Sequence, residues 1–383
     1  MRVTTVGFVS LLVIIAAVGI VPLAAADSTD LSTGSATAQT DEPATEFPVT
    51  LTDATGTEIT LDERPERVTT TNPSAAQVMW ELEAADQVVG LTQFAHYLDG
   101  AESRENVSST EQGISIERVV GTEPDLVLAP NATSVETVET LRDSGLTVYH
   151  FPQATDFDDV ADKTLTIGQL TGNEDAAHET NAWVDANVEA VSASTADVEA
   201  PRLLYPLLGG FAVGGETFIH EIIVASGAEN VAAEEFDGYE VLSNEVLLEL
   251  DPEVLLITDQ TEGQIMHNEP YSLITDGENG RSVMLEVNYI NQAAPRSIVY
   301  STRNLTEQLH PDRYNESDYV SRQAIADGEY TLEDDGSTDD AGETAGTETA
   351  DGDDDQTDVS APGFGAVVAV VALIGGGLLA RRR

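Results

Sequence analysis

The chain has 383 residues, with 69 Asp and Glu against 16 Lys and Arg, so its formal charge at pH 7 is −53. Hydrophobic residues make up 41% of the chain, which is enough for a folded core in two ordinary domains. This charge excludes a nucleic-acid-binding protein, which needs clustered basic residues, and the absence of cysteine excludes disulfide frameworks, thiolate zinc sites and iron–sulfur clusters.

The acidity describes the solvent rather than a reaction. Only one of the basic residues is a lysine, Lys163. Such a charge repels itself in dilute buffer, but at about 1 M salt the Debye length falls to about 3 Å and most of the repulsion is screened. We therefore predict a protein from a very salty environment, of haloarchaeal type.

The amino terminus has the pattern of an exported protein. Residues 1–26 carry a single charge, Arg2, followed by an apolar run and the small residues Ala24 to Ala26, which predicts a cleaved secretory signal peptide. Residues 27–46 are rich in Ser, Thr and Ala and predict a flexible linker.

Residues 47–330 have the pattern of the folded body. Short apolar runs alternate with helical stretches, which predicts an α/β fold with mostly parallel sheets. The predicted strands are Arg67–Thr71, Val88–Thr92, Leu126–Ala129, Thr147–Phe151, Arg202–Leu207 and Val254–Thr258.

An internal repeat divides this body into two similar lobes, 47–155 and 196–330. The segment that contains Ser115 and Glu117 recurs 128 residues later with Ser243 and Glu245. Each copy predicts a short helix capped by the serine, an acid–Pro turn and then a buried strand. Between the lobes, residues at helical spacing over 156–195 predict one long bridging helix, with a break or C-cap at Gly172.

The carboxyl terminus predicts a surface anchor. Residues 331–361 contain 12 acids and no basic residue, which predicts an extended acidic stalk. Residues 362–383 run from Pro-Gly-Phe through an apolar stretch to three arginines. This order resembles the PGF-CTERM sorting signal of archaeal surface proteins, which implies removal of the tail and lipid attachment. We therefore expect the body at the cell surface, on the extracellular face of the cytoplasmic membrane.

Four Asn-X-Ser/Thr sequons are consistent with an exported glycoprotein. They begin at Asn106, Asn131, Asn304 and Asn315.

Several ordered segments of the body resemble the substrate-binding proteins of ABC importers for cobalamin and ferric siderophores. They are Arg67–Ser74, Ala85–Thr92, the two Ser-X-Glu helices and Asn291–Arg296. The resemblance implies two α/β lobes joined by one long helix, a ligand cleft between them, and an ABC permease dimer with its ATPase as partners. It implies a binding protein without catalytic residues or a resident cofactor.

The resemblance also implies that Glu117 and Glu245 form salt bridges to arginines of the permease. Each lies in the first turn of a predicted helix, on equivalent edges of the two lobes. The alternative is that each glutamate only stabilises its own helix dipole, worth about 0.3–1 kcal/mol.

Loops that follow the strands should line the cleft. The candidate ligand-contacting residues are Asn72, Ser74, Gln93, Phe94, Tyr97, Gln112, Asn131, Tyr239 and Tyr289. By the resemblance, the three tyrosines fall where aromatic side chains contact the corrin ring in cobalamin binders. Cobalamin is the predicted ligand, because the loops that hold these residues lack the Arg or Lys that holds anionic iron complexes. A ferric siderophore is the alternative, since Arg281 and Arg296 could reach inward.

Two further readings stay open. A zinc- or manganese-binding importer component would need histidines to converge, and His96, His150 and His220 are the candidates. A surface adhesion module would explain the export and the stalk but not the paired glutamates. No G-X-S-X-G or H-E-X-X-H motif for hydrolytic chemistry is present.

Overall fold

The computed structural model describes residues 45–110, 113–275 and 281–330. The predicted signal peptide, acidic stalk and carboxyl-terminal tail lie outside the described residues, as does all but the end of the predicted linker. In the part of the chain that is described, no helix has both the length and the apolar character of a membrane span.

The first lobe is a parallel sheet in the order β5-β4-β3-β6-β7, with helices on its faces and an antiparallel β1–β2 hairpin beside it. Its elements are β1 Val49–Thr52, β2 Glu58–Leu61, β3 Val68–Thr70, α1 Pro73–Glu81, β4 Val88–Leu91, β5 Glu105–Asn106, α2 Ile116–Gly121, β6 Leu126–Ala129, α3 Val135–Asp143 and β7 Val148–His150.

Two helices follow the first lobe, and the second lobe is a parallel sheet in the order β10-β8-β12-β13 with an antiparallel β9–β11 ribbon. The elements are α4 Phe157–Thr171, α5 Glu174–Thr195, β8 Arg202–Leu204, β9 Phe211–Val213, α6 Phe218–Ala225, β10 Glu229–Asn230, β11 Tyr239–Val241, α7 Asn244–Glu249, β12 Val254–Thr258, α8 Glu262–Ile265, α9 Tyr271–Thr275, β13 Arg281–Leu285, α10 Val287–Ile290, α11 Pro295–Leu309 and α12 Arg322–Ala326.

Both sheets are buried on both faces, which confirms the predicted α/β fold with parallel strands. On β6, Leu126 and Leu128 pack into one core cluster while Val127 and Ala129 pack into another on the opposite face. β12 divides its residues between two clusters in the same way. Unbroken apolar runs of this kind are typical of strands covered by helices on both sides.

The backbone confirms the internal repeat. Glu123 and Asp251 occupy equivalent positions, precede a proline, and both adopt a φ of 45°, in the left-handed region that non-glycine residues seldom enter. The serine hydroxyl at each helix start also plays the same part, since Ser115 and Ser243 accept from the backbone N–H three residues ahead.

The same contacts join each turn to the start of the neighbouring strand, which is β3 in the first lobe and β8 in the second. The Arg67 N–H donates to Asp125 at 2.9 Å, and the Asp125 N–H donates to the Arg67 carbonyl at 2.8 Å. Arg202 and Glu253 exchange the equivalent pair of bonds, at 3.0 and 2.8 Å. The repeat therefore preserves a hydrogen-bonded corner as well as a sequence pattern.

The bridge between the lobes differs from the single long helix that the spacing predicts. Gly172 adopts φ 69° and ends α4, and α5 then runs back alongside it. The Asn181 side chain of α5 donates to the Ala161 carbonyl of α4 at 3.1 Å. Close packing of Gly168 against Ala177 holds the turn end of this hairpin, where a Cβ on Gly168 would lie 2.7 Å from that of Ala177.

Both helices of the hairpin cross from one core to the other. Ile167 and Ala177, near the turn, belong to the core of the first lobe, whereas Val160 and Trp183 belong to the core of the second. A helical period of 3.6 predicts which face is buried, but it carries no information on whether a glycine kinks a helix or reverses it. The hairpin braces the lobes with two rods instead of one.

Candidate ligand cleft and docking surface

Tyrosines of the two lobes meet directly. The rings of Tyr97 and Tyr289 lie edge to face with centroids 6.0 Å apart, and Tyr289 makes a second such contact with Tyr300 at 5.2 Å. Tyr97 follows β4, and Tyr289 follows β13, so both leave the carboxyl ends of parallel strands, where ligand sites form in such sheets. The structure thus brings together two of the three predicted ring-contacting residues.

Tyr97 is held in place by a buried glutamine. The Gln77 amide nitrogen donates to the Tyr97 hydroxyl at 2.8 Å, while its oxygen accepts from the backbone and the hydroxyl of Ser297 at 3.1 Å each. Gln77 belongs to the first lobe and Ser297 to the second, so this side chain joins the lobes beneath the tyrosines. Burial raises the pKa of Tyr97 above its ordinary value, which keeps the phenol neutral.

A basic side chain that the cleft loops lack is supplied by the last long helix. The Arg296 guanidinium of α11 interacts with both Tyr97 and Tyr289. It pairs at 2.5 Å with Glu81, a buried carboxylate at the end of α1. Glu81 is also paired with Arg322 of α12, so one carboxylate is shared between two guanidinium groups.

Tyr239 lies in a neighbouring part of the second lobe and not in the contact between lobes. It pairs with Val213 in the β9–β11 ribbon and packs against the core of that lobe, where burial raises its pKa. Next to it, the Tyr205 hydroxyl and the Asn291 amide oxygen are 3.1 Å apart. Sequence analysis does not identify Tyr205 as a site residue, because it lies in an apolar run that predicts a strand.

Among the polar candidates of the first lobe, Asn72 has a structural partner. Asn72 caps α1 by accepting from the Ser74 N–H at 2.9 Å, and Ser74 itself is buried. The Gln93 side chain is exposed, and Phe94 and Asn131 are half-buried. Gln112 lies outside the described residues.

Lys163, the only lysine of the chain, is buried against the loop between α10 and α11. Lys163 of α4 donates to the carbonyl of Ala293, in the loop between α10 and α11. Burial lowers the pKa of its amine to about 7. The amine thereby ties the helical hairpin to the loop that carries Asn291.

The two candidate docking residues occupy equivalent exposed positions. Glu117 and Glu245 stand in the first turns of α2 and α7, and both side chains are exposed. Each helix precedes a parallel strand and joins it by the Pro turn, so it runs back along the sheet with its amino end at the carboxyl edge of the strands. That is also the edge from which the cleft loops leave.

The three candidate histidines are not grouped with one another in the described part of the chain. His150 lies in the first lobe, where its Nδ1 is 2.9 Å from the Ala129 carbonyl, and burial lowers its pKa. His220 lies on α6 of the second lobe and His96 is exposed. Within residues 45–110, 113–275 and 281–330, no three His, Asp or Glu side chains are grouped to hold a metal ion.

Comparison with known proteins concerns the fold and the carboxyl-terminal signal. A family model described as periplasmic binding protein matches residues 68–283, and the PGF-CTERM motif matches residues 361–383. The motif and the family together make this an extracellular protein anchored at the cell surface, and the motif confirms the predicted carboxyl-terminal signal.

Two of the curated relatives are named for cobalamin or vitamin B12. The chain is 39% identical over 350 residues to a cobalamin-binding protein of Halobacterium salinarum, covering 88% of this chain and 89% of that protein. It is 25% identical to a vitamin B12-binding protein of Vibrio parahaemolyticus, covering 63% of this chain and 88% of that one.

Solved structures show the same fold at low identity. The heme-binding protein HmuT matches with a TM-score of 0.60 and 19% identity, covering 70% of this chain and 93% of that one. The molybdate-binding protein MolA of Haemophilus influenzae matches with a TM-score of 0.60 and 17% identity, covering 72% of this chain and 95% of that one. At these identities the likeness concerns the two-lobed fold alone.

Proposed function

This chain belongs to the periplasmic binding protein family, and we propose that it captures cobalamin or a close corrinoid outside the cell and delivers it to an ABC importer permease. The proposal rests on the contact of Tyr97 with Tyr289 between the lobes. Aromatic rings gathered at one cleft suit a large flat ligand with apolar faces and amide edges. The haloarchaeal relative, named for cobalamin, supports the same ligand.

The charge around the tyrosines favours a ligand that is nearly neutral over a polyanionic iron complex. Arg296 reaches the tyrosines, but part of its charge is balanced by Glu81. Arg281 stands at the amino end of β13, the end of the strand away from the cleft loops. A ferric siderophore remains the alternative ligand. Of the two arginines, only Arg296 would be placed to bind its negative charge.

Isothermal titration calorimetry tests the ligand. The detergent-solubilised full chain in molar salt should bind cobalamin with micromolar or tighter affinity, and Tyr97→Ala should weaken binding about tenfold or more, since it removes one aromatic face. A matched control is Tyr314→Phe, in the segment after α11, which should bind like the unmodified chain. No heat with cobalamin, together with binding of a ferric hydroxamate or of hemin, would transfer the assignment to that ligand.

We also propose that Glu117 and Glu245 dock the loaded protein on arginines of the permease dimer, whose ATPase then drives import. Their equivalent exposed positions, one on each lobe, suit a two-fold partner. High salt weakens exposed ion pairs, so shape must supply much of the affinity. Stabilisation of a helix dipole would not by itself explain why Glu117 and Glu245 both lie at the carboxyl edge of their sheets.

Charge reversal separates docking from ligand capture. The pair Glu117→Arg with Glu245→Arg should abolish cobalamin uptake by cells while leaving the calorimetric affinity unchanged. The control pair Glu139→Arg with Glu249→Arg reverses one exposed acid in each lobe away from the helix starts, and it should retain uptake. Normal uptake by the first pair would remove the docking roles, and a surface adhesion module would show no uptake in any variant.

A further inference from the structure

The structure separates the four sequons by the environment of their hydroxyl residue. Three of these hydroxyl residues are buried, with Ser108 3%, Thr133 7% and Thr306 0% exposed. The fourth, Ser317, is exposed, and so is Asn315, the first residue of its sequon. A transferase that acts on the folded chain has to reach both residues of a sequon at once.

The buried hydroxyls also have structural partners. The Ser108 hydroxyl accepts from the Gln93 N–H at 2.9 Å, and the Thr133 hydroxyl is 2.6 Å from that of Thr71. Exposing either one would break a buried hydrogen bond of the first lobe and leave its partner unsatisfied.

The third sequon lies inside a helix. Thr306 donates to the Thr302 carbonyl at 2.8 Å, within α11. The Asn304 amide nitrogen donates to the Tyr300 carbonyl. The nitrogen that would accept a sugar is therefore engaged, and its hydroxyl partner faces the core.

Asn315 and Ser317 form a compact exposed turn after α11. The Asn315 amide oxygen accepts from the Ser317 N–H at 3.0 Å and from the Ser317 hydroxyl. A hydroxyl that donates to the amide oxygen withdraws electron density from the amide and makes its nitrogen easier to deprotonate. The turn thus presents the acceptor nitrogen and the assisting hydroxyl on the same side of the surface.

We propose that Asn315 is the N-glycosylation site of the folded protein, and that the other three sequons stay unmodified. In the transfer, the Asn315 amide nitrogen forms a bond to the anomeric carbon of a lipid-phosphate-linked oligosaccharide and gives up a proton to a basic group of the transferase. The bond from that carbon to the phosphate oxygen breaks, and the lipid phosphate leaves.

Glycopeptide mass spectrometry of the full chain from its native host tests the proposal. The peptide with Asn315 should carry the glycan, both Asn315→Gln and Ser317→Ala should lose it, and Ser317→Thr should keep it, since threonine retains the hydroxyl. Asn304→Gln is the matched control and should leave the glycan mass of the protein unchanged. An unmodified Asn315 peptide, or a glycan chiefly on Asn106, Asn131 or Asn304, would overturn the assignment.

Discussion

The two lobes share their scaffold and differ where their strands end. At the amino ends, the turn at Glu123 and the turn at Asp251 have the same unusual backbone and the same arginine contacts. At the carboxyl ends, the first lobe contributes Tyr97 from a short loop, whereas the second contributes Tyr289, which also contacts Tyr300 of α11.

This difference shows which parts of a duplicated fold remain alike. The corners that support the helices of Glu117 and Glu245 are the same in both lobes, as expected if both helices contact a two-fold partner. The cleft loops face a single asymmetric ligand, so binding it does not require the loops of the two lobes to be similar. Similarity between the lobes therefore marks the proposed docking surface, and dissimilarity marks the proposed ligand site.

The largest change in the free energy of unfolding should come from removing the carboxylate of Glu81, which joins the first lobe to α11 and α12. Glu81→Gln leaves Arg296 and Arg322 without their shared acid. Because the two arginines are 25% and 38% exposed, the loss in the free energy of unfolding should be about 3 kcal/mol, at the lower end of the range for a broken buried pair. Urea denaturation in molar salt measures the loss.

A surface pair serves as the control for Glu81. Glu307 pairs with Arg303 at 3.0 Å on the same helix, with both side chains partly exposed. Glu307→Gln should cost no more than about 0.5 kcal/mol, because exposed i,i+4 pairs contribute little. Equal losses for Glu81→Gln and Glu307→Gln would show that the buried cluster does not hold the lobes together.

The next largest effect concerns Lys163, whose amine joins the helical hairpin to the second lobe. The pKa of Lys163 falls from 10.5 to about 7 on folding, so between these values the unfolded chain binds more protons than the folded one. The free energy of unfolding should therefore rise with pH across this window, by about 1–2 kcal/mol between pH 7.5 and 9.

Comparison of two pH series isolates this lysine. Lys163→Met removes the amine but keeps a side chain of similar length, and it should lack the rise that the unmodified chain shows between pH 7.5 and 9. Urea titrations at each pH supply the free energies. Parallel pH profiles for the two proteins would mean that the folded chain leaves this amine charged.

The fold was largely predictable because its strongest signals are local. Leu126–Ala129 and Val254–Thr258 appear with the predicted bounds, since apolar runs between turn signals have few alternatives. β13, at Arg281–Leu285, was missed because an edge strand with exposed residues lacks such a run. The reversal at Gly172 was missed because a left-handed glycine both ends a helix and permits the next one to begin.

The candidate site was less predictable, because its contacts join distant segments. The aromatic candidates Tyr97 and Tyr289 could be found from their places after strands, and the structure brings them together. Gln77 and Glu81 lie on a helix face that reads as ordinary amphipathic sequence. Their partners Ser297 and Arg296 are more than two hundred residues away, and only the packing of α1 on α11 brings them together.

The smallest change in the free energy of unfolding should come from replacing Arg67 or Arg202, and it tests whether the two hydrogen-bonded corners are stabilised equally. Arg67 donates to the Glu123 carbonyl at 2.8 Å and Arg202 donates to the Leu250 carbonyl at 2.8 Å, so each arginine closes the end of its helix. Arg202 also pairs with two exposed glutamates of its own lobe. Replacing either arginine with methionine should lower the free energy of unfolding by about 1–2 kcal/mol.

In molar salt the two losses should agree within about 0.5 kcal/mol, because the extra glutamates around Arg202 are exposed and screened. At the lowest salt that still keeps the chain folded, Arg202→Met should become the more costly of the two, since its ion pairs then contribute. Urea titrations at both salt concentrations give the comparison. A large gap between the variants in molar salt would show that the glutamates are part of the corner in the second lobe, and that the two lobes are alike in their backbone but not in what stabilises it.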